Sequence, residues 1–188
     1  GRDGAPLRDF VHRWTRGVDV IALLWVLRQM LEQAGSVEGF FLEGDHGGED
    51  IREALDSFSR RALALDLAAA YGTVPARPGV GYFFPRPSGG SGCKRLNLFM
   101  RWMVRRDDKG VDFGIWKQIS PADLICPIDL HVARVAHRFN LVYFKKTETL
   151  QVNWKTALEL TKYLRTLDPD DPVKYDFALF GLGVMEKF

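Results

Sequence analysis

Gly89-Gly90-Ser91-Gly92-Cys93-Lys94-Arg95-Leu96-Asn97-Leu98-Phe99-Met100-Arg101-Trp102-Met103-Val104-Arg105-Arg106 runs a glycine bend straight into a helical pattern. At 100° per residue, Leu96, Phe99, Met100, Met103 and Val104 fall on one side. Lys94, Asn97, Arg101 and Arg105 fall on the other, which predicts an amphipathic helix over 93–106 closed by Asp107-Asp108-Lys109-Gly110. A glycine bend feeding a helix presents backbone N–H groups and a positive dipole end, a setting that suits a phosphate. It is not a nucleotide P-loop, which needs G-x-x-x-x-G-K-[ST] after a strand. Lys94 falls in the first turn beside Arg95, where both the dipole and that neighbour oppose a positive charge. Two roles stay open for it: a nucleophilic amine, or a point charge on a phosphate.

Upstream, residues 72–92 form the main break, with Pro75, Pro78, Pro85, Pro87 and six glycines. Before it, helical spacing dominates. A short amphipathic piece is expected over 9–14. A stronger helix opens at Asp19 and stops at Ala34-Gly35, with Val20, Leu23, Leu24, Leu27 and Leu31 as its apolar stripe. Ser36 starts a short helix holding Phe40, Phe41 and Leu42, and 43–48 reads as a loop. Asp50 caps a helix with Ile51, Leu55, Phe58 and Ala62 on one face, part of which continues toward Tyr71. Downstream, 111–124 reads as a linker with a helical turn near 113–116 and another opened by Ser120-Pro121. Asp129 stands at an N-cap position, followed by a buried stripe of Val132, Val135, Ala136 and Phe139 and a polar one of His131, Arg134 and Arg138. Helices follow over 154–167, stopped by Asp168-Pro169, and over 173–184. No strand signal survives the periodicity test, so the expected fold class is all-α.

The 188 residues, 46% hydrophobic and 27% charged, suit one domain or two small lobes. No apolar run reaches the ~20 residues of a membrane span. Cys93 and Cys126 are too few for a disulfide framework or an iron–sulfur cluster. His12, His46, His131 and His137 make no ligand cluster, so no metal is expected. A cytoplasmic location is expected, and the initial Gly suggests an incomplete N-terminus. Charge is uneven: residues 86–146 hold twelve Lys/Arg against five Asp, a net +7 within a chain of net +2. That concentration points to a polyanionic partner on one face as readily as to a solvated surface.

Gly90-Ser91-Gly92-Cys93-Lys94-Arg95-Leu96-Asn97, followed by Pro127-Ile128-Asp129-Leu130-His131-Val132-Ala133-Arg134-Val135, resembles the helix–hairpin–helix DNA glycosylase superfamily, which includes endonuclease III and the 8-oxoguanine glycosylases. There the hairpin reads G-x-G-x-K-x-x-[ND], with V-D-x-H-x-x-R/H-[VI] downstream. The resemblance covers roughly 72–188, and the same wording is similar to a bacterial group long left without an assigned role. This chain has Pro-Arg-Pro-Ser-Gly-Gly-Ser-Gly where those hairpins carry L-P-G-V-G, and 35 positions separate Lys94 from Asp129, which marks 107–125 as an insertion. The absence of the four-cysteine cluster leans toward the 8-oxoguanine branch.

The resemblance implies two small helical lobes with a cleft between them, in a single catalytic domain: a helical part (1–71), the loop and hairpin (72–92) and the helices carrying the active site (93–188). It implies a monomeric, cofactor-free DNA glycosylase with lyase activity, associated with the nucleoid, acting on double-stranded DNA that contains a damaged base. The most fitting lesion is an oxidised purine such as 8-oxoguanine. Lys94 matches the Schiff-base lysine and Asp129 the catalytic aspartate. Alignment of the last helix with the 8-oxoguanine branch places Phe180 on the aromatic that stacks the flipped base and Asp176 on the base-reading position. Gly90, Gly92, Arg95, Arg101, Arg105 and His131, with Arg86, are the expected DNA contacts. The alternatives are a non-catalytic hairpin module that only grips DNA, which retention of both Lys94 and Asp129 disfavours, and a monofunctional glycosylase for alkylated or mismatched bases, which Lys94 disfavours.

Overall fold

The computed structural model describes residues 7, 9–45, 47–48, 50–144 and 150–185 of the chain; His46, Lys145 and Lys146 lie outside them. The chain divides into two compact units, Gly1–His46 with Glu53–Arg86, and Gly47–Arg52 with Pro87–Phe188. The described residues are mostly helical with one tiny sheet, an all-α class in coarse terms. Among the described residues no helix is long and apolar enough to cross a membrane.

The first unit opens with the one departure from an all-helical reading. Strands β1 (Val11–His12) and β2 (Thr15–Arg16) pair antiparallel where a helical piece was expected. The two-residue link lets Arg13 turn at φ 54°, without the Asn or Gly that announces such a turn. Helix α1 (Gly17–Ala34) starts where the Asp19 carboxylate accepts the Arg16 N–H at 2.8 Å. Its buried face is Asp19, Ala22, Val26 and Met30, about a residue off the expected stripe; Leu24 and Leu31 are exposed. Helices α2 (Val37–Leu42) and α3 (Arg52–Ala64) pack Phe40 and Phe41 around Phe58. The run toward Tyr71 does not continue α3. It breaks at 65–67 and restarts as α4 (Ala68–Tyr71), where the Asp66 carboxylate accepts the Ala68 N–H.

The second unit is built on four helices, α5 (Lys94–Val104), α6 (Leu130–Arg138), α7 (Trp154–Leu167) and α8 (Asp176–Met185). Helix α7 has the expected limits, because Asn153 accepts the Thr156 N–H at one end and Asp168-Pro169 stops the other. Leu96, Met100, Ile125, Ile128, Val132, Val135, Leu160, Leu164 and Val173 form the core. On α6, Ala133 is buried and Phe139 is 53% exposed, against expectation, since the backbone leaves the helix at Phe139. No helical turn forms at 113–116. That segment is irregular and pinned to the end of α5: the N–H groups of Phe113 and Trp116 donate to the carbonyls of Trp102 and Met103 at 2.8 Å. The turn after Ser120 is a single 3-10 turn, Pro121–Asp123.

Candidate functional site

Two helix starts in the second unit create the site. The hairpin closes through a turn in which the Gly90 N–H donates to the Pro87 carbonyl at 3.0 Å, with Gly90 at φ 80°, a conformation that suits a residue without Cβ. Cys93 then sits at φ 49° as N-cap of α5, its N–H held by Ser91 Oγ. Asn97, fully buried one turn on, donates Nδ2 to the Gly92 carbonyl at 3.1 Å, tying hairpin to helix. Lys94 is thereby the first residue of α5.

Asp129 caps α6 as its sequence position predicts, accepting the Val132 N–H on Oδ1 at 2.9 Å. Its Oδ2 accepts Lys94 Nζ at 2.6 Å. Partial burial opposes the carboxylate's charge. The Lys94 hydrogen bond, the Val132 N–H and the nearby Lys94 and His131 charges outweigh it and hold the carboxyl below its usual range. Lys94 Nζ also lies 5.4 Å from the centre of the Phe180 ring, which meets the His131 ring edge-on at 6.4 Å. Lys94, Leu98, Pro127, Val132, Asp176, Phe177 and Phe180 line a cavity of about 100 Å³. The lysine and both expected base-recognition residues thus line one opening, with the capped carboxylate hydrogen-bonded to that lysine.

Two expected DNA contacts are corrected. Arg101 is 1% exposed and donates Nη1 to Asp176 Oδ2 at 2.8 Å and Nη2 to Asp112 Oδ2 at 3.1 Å. Arg105 donates Nη1 to the same Asp112 oxygen at 2.6 Å and Nε to both oxygens of Asp171. Arg101 is shut off from solvent and Arg105 is half-buried in ion pairs, because carboxylates 11 and 75 positions from Arg101 fold onto what reads locally as a polar helix face. Asp176 lines the cavity while bound to Arg101, and its burial pushes its carboxyl up, with Arg101 opposing. Arg95 and His131 are exposed, as is Arg86, which belongs to the first unit. Gly92 packs against Ile128 and the Val152 carbonyl and offers no open face.

A second cavity, of about 460 Å³, opens beside the hairpin. Arg52, Ser88, Gly90, Asn153, Trp154 and Lys155 line it. Arg52 and Lys155, both exposed, escaped the sequence reading because each lies far from the hairpin in sequence and alone in its segment. Among the described residues no three His, Cys, Asp or Glu side chains are grouped as a metal would require.

A family described as "Protein of unknown function (DUF2400)" matches residues 2–185. No curated protein and no solved structure matches the chain.

Proposed function

The chain belongs to the DUF2400 family, whose description states no role, and from the site itself we propose that it is a DNA glycosylase with lyase activity of the helix–hairpin–helix kind, acting on an oxidised purine. The observation that carries this reading is the 2.6 Å contact between Lys94 Nζ and a carboxylate already fixed as a helix cap, at the mouth of an aromatic-walled cavity.

A damaged base inside a duplex is out of reach, so the nucleotide is flipped out, at least cost where pairing is weakened. The base enters against Phe180 and Phe177. The cavity, about 100 Å³, is below the ~300 Å³ at which small-molecule sites begin, so Phe180, 38% exposed, swings outward to admit a purine. The Asp176 carboxylate accepts hydrogen bonds from the N–H groups of the base edge. Lys94 passes a proton across the short bond to Asp129 and attacks C1′ while the glycosidic bond breaks; the bond's electron pair leaves with the base, which takes that proton from Asp129 and returns it to the carboxylate form. Positive charge gathers on the sugar, and the Asp129 carboxylate stabilises it. Opening of the sugar ring at O4′ leaves a protonated imine on Lys94. Loss of a C2′ proton then expels the 3′ phosphate and nicks the strand. The exposed cations beside the hairpin, Arg52, Arg95 and Lys155, grip the phosphates.

Borohydride reduction in the presence of duplexes carrying 8-oxoguanine, uracil, thymine glycol or an abasic site tests the reading. The expected result is a covalent adduct that disappears in Lys94→Gln while DNA binding persists, and base release that is lost in Asp129→Asn. Normal excision and nicking by Lys94→Gln would exclude Lys94 as the nucleophile.

A further inference from the structure

Arg101, the buried cation of α5, and the ion-pair cluster around it make a poor stabilising device. Arg101 Nε and Asp112 Oδ1 are both buried without a partner, and an interior ion-pair cluster rarely improves on apolar packing of the same volume. What the cluster does supply is a fixed geometry at the cavity wall. Arg101 grips Asp176 by one oxygen, and its guanidinium carbon lies 4.0 Å from the centre of the Phe177 ring; both residues line the cavity. From the other side Arg101 is held by Asp112, which Arg105 also holds, and Arg105 is anchored in turn on Asp171.

We propose that Arg101 is a positioning residue that sets the selectivity of this cavity: by fixing Asp176 through Oδ2 and backing Phe177, it leaves Asp176 Oδ1 to receive a ligand edge bearing paired N–H donors. This rests on reading the cavity as the seat of a flipped base. An oxygen held at one place rejects a ligand lacking the matching donor more strongly than a mobile one does, because the unmet acceptor cannot turn away. The charged and titratable groups facing Asp176 are Arg101 and Lys94 from α5, Asp129 from the start of α6 and the buried Cys126 thiol. Arg101 is the only one of them hydrogen-bonded to it.

The test compares release of 8-oxoguanine with release of 8-oxohypoxanthine, the same ring without the exocyclic amine, using adduct trapping on an abasic duplex as the reference that needs no base. The wild-type protein is expected to release the aminated base at least about tenfold faster. Arg101→Lys keeps the charge and loses the planar fork. It should lose about 100-fold in kcat/KM for base release beyond any change in trapping, with the ratio between the two bases falling toward one. The acid limb of its pH–rate profile should also move upward as Asp176 loses its hydrogen-bonded guanidinium neighbour. Asp176→Asn leaves Arg101 paired with Asp112 and should collapse the same ratio, which keeps the test decisive if Arg101→Lys fails to fold. An unchanged ratio in either folded variant overturns the proposal, as does a wild-type protein that traps the abasic site yet releases neither base. A wild-type protein that forms no adduct at all fails one step earlier, at Lys94.

Discussion

Asp129 carries two loads on two oxygens, a helix cap on Oδ1 and the Lys94 amine on Oδ2, and substitutions separate them. Asparagine caps as well as aspartate, so Asp129→Asn should melt close to wild type, whereas Asp129→Ala should lose about 1 kcal/mol. The charge has its own signature. With its folded carboxyl held below the ordinary value, Asp129 contributes stability that is present above the unfolded pKa of about 3.9 and is lost as pH falls through the lower folded value. Asp176 acts with the opposite sign. Its folded carboxyl is raised, so the folded state holds that proton more tightly and Asp176 costs stability as pH rises from the ordinary carboxylate range through its folded value. Thermal melts of wild type and Asp129→Asn between pH 7 and pH 3 should therefore converge at the acid end. The difference should be small, because Lys94 is 41% exposed and solvent screens the pair. A gap that widens on acidification would mean that Asp129 is not held in its charged form.

Among the elements, α6 and α8 bring His131, Phe180 and the Asp129 cap into one neighbourhood, and their spacing depends on one glycine. A Cβ added at Gly183 would lie 2.9 Å from His131 Cβ and 3.0 Å from the His131 carbonyl oxygen, so the helices must part to admit it. Gly181, two residues earlier and so on a different side of the helix, meets nothing within 4 Å. Gly183→Ala should then lose about 1–3 kcal/mol by overpacking, together with much of the trapped adduct as Phe180 shifts from Lys94. Gly181→Ala should be neutral or gain up to about 1 kcal/mol from helix propensity. Equal melting temperatures for the two would show that the helices do not approach so closely. Sequence legibility follows the same divide between local and remote causes. The cap at Asp129 and both ends of α7 were readable because Asp, Asn and Asp-Pro act within a turn of themselves. The face of α1 was not, since Val20, Leu23, Leu27 and their neighbours are apolar nearly all round and two registers fit equally. Asn97 and Arg101 were misplaced on a polar face because their partners are a hairpin carbonyl and carboxylates from other segments, which no periodicity reveals. Lys94, Asp129, Asp176 and Phe180 were found as a set through the motif resemblance, whereas Arg52 and Lys155 had no motif to mark them.

For the whole molecule, a net charge of +2 conceals a division of the basic segment between internal ion pairs and exposed side chains. Arg101 and Arg105 are spent on Asp112, Asp171 and Asp176 inside the second unit, and Lys94 is paired with Asp129. The outward field of that unit rests instead on exposed side chains such as Arg95, Arg106 and Lys109, together with Arg52 and Lys155 at the hairpin cavity. Counterion release turns this division into a measurement. Each phosphate neutralised adds about 0.9 to the slope of log K against log salt on duplex DNA, whatever its sequence. Arg95→Ala and Lys155→Ala should each weaken binding to an undamaged duplex and flatten that slope by about 0.9, with melting temperature little changed. Arg105→Ala should do the reverse, leaving the slope intact while lowering stability, because it strips the buried Asp112 and the half-buried Asp171 of a shared cation. Fluorescence-anisotropy titrations from 50 to 200 mM salt resolve the two cases. A slope that flattens in Arg105→Ala but not in Lys155→Ala would place the DNA on the face of the unit now assigned to the ion-pair cluster, and would remove the hairpin cavity from the binding surface.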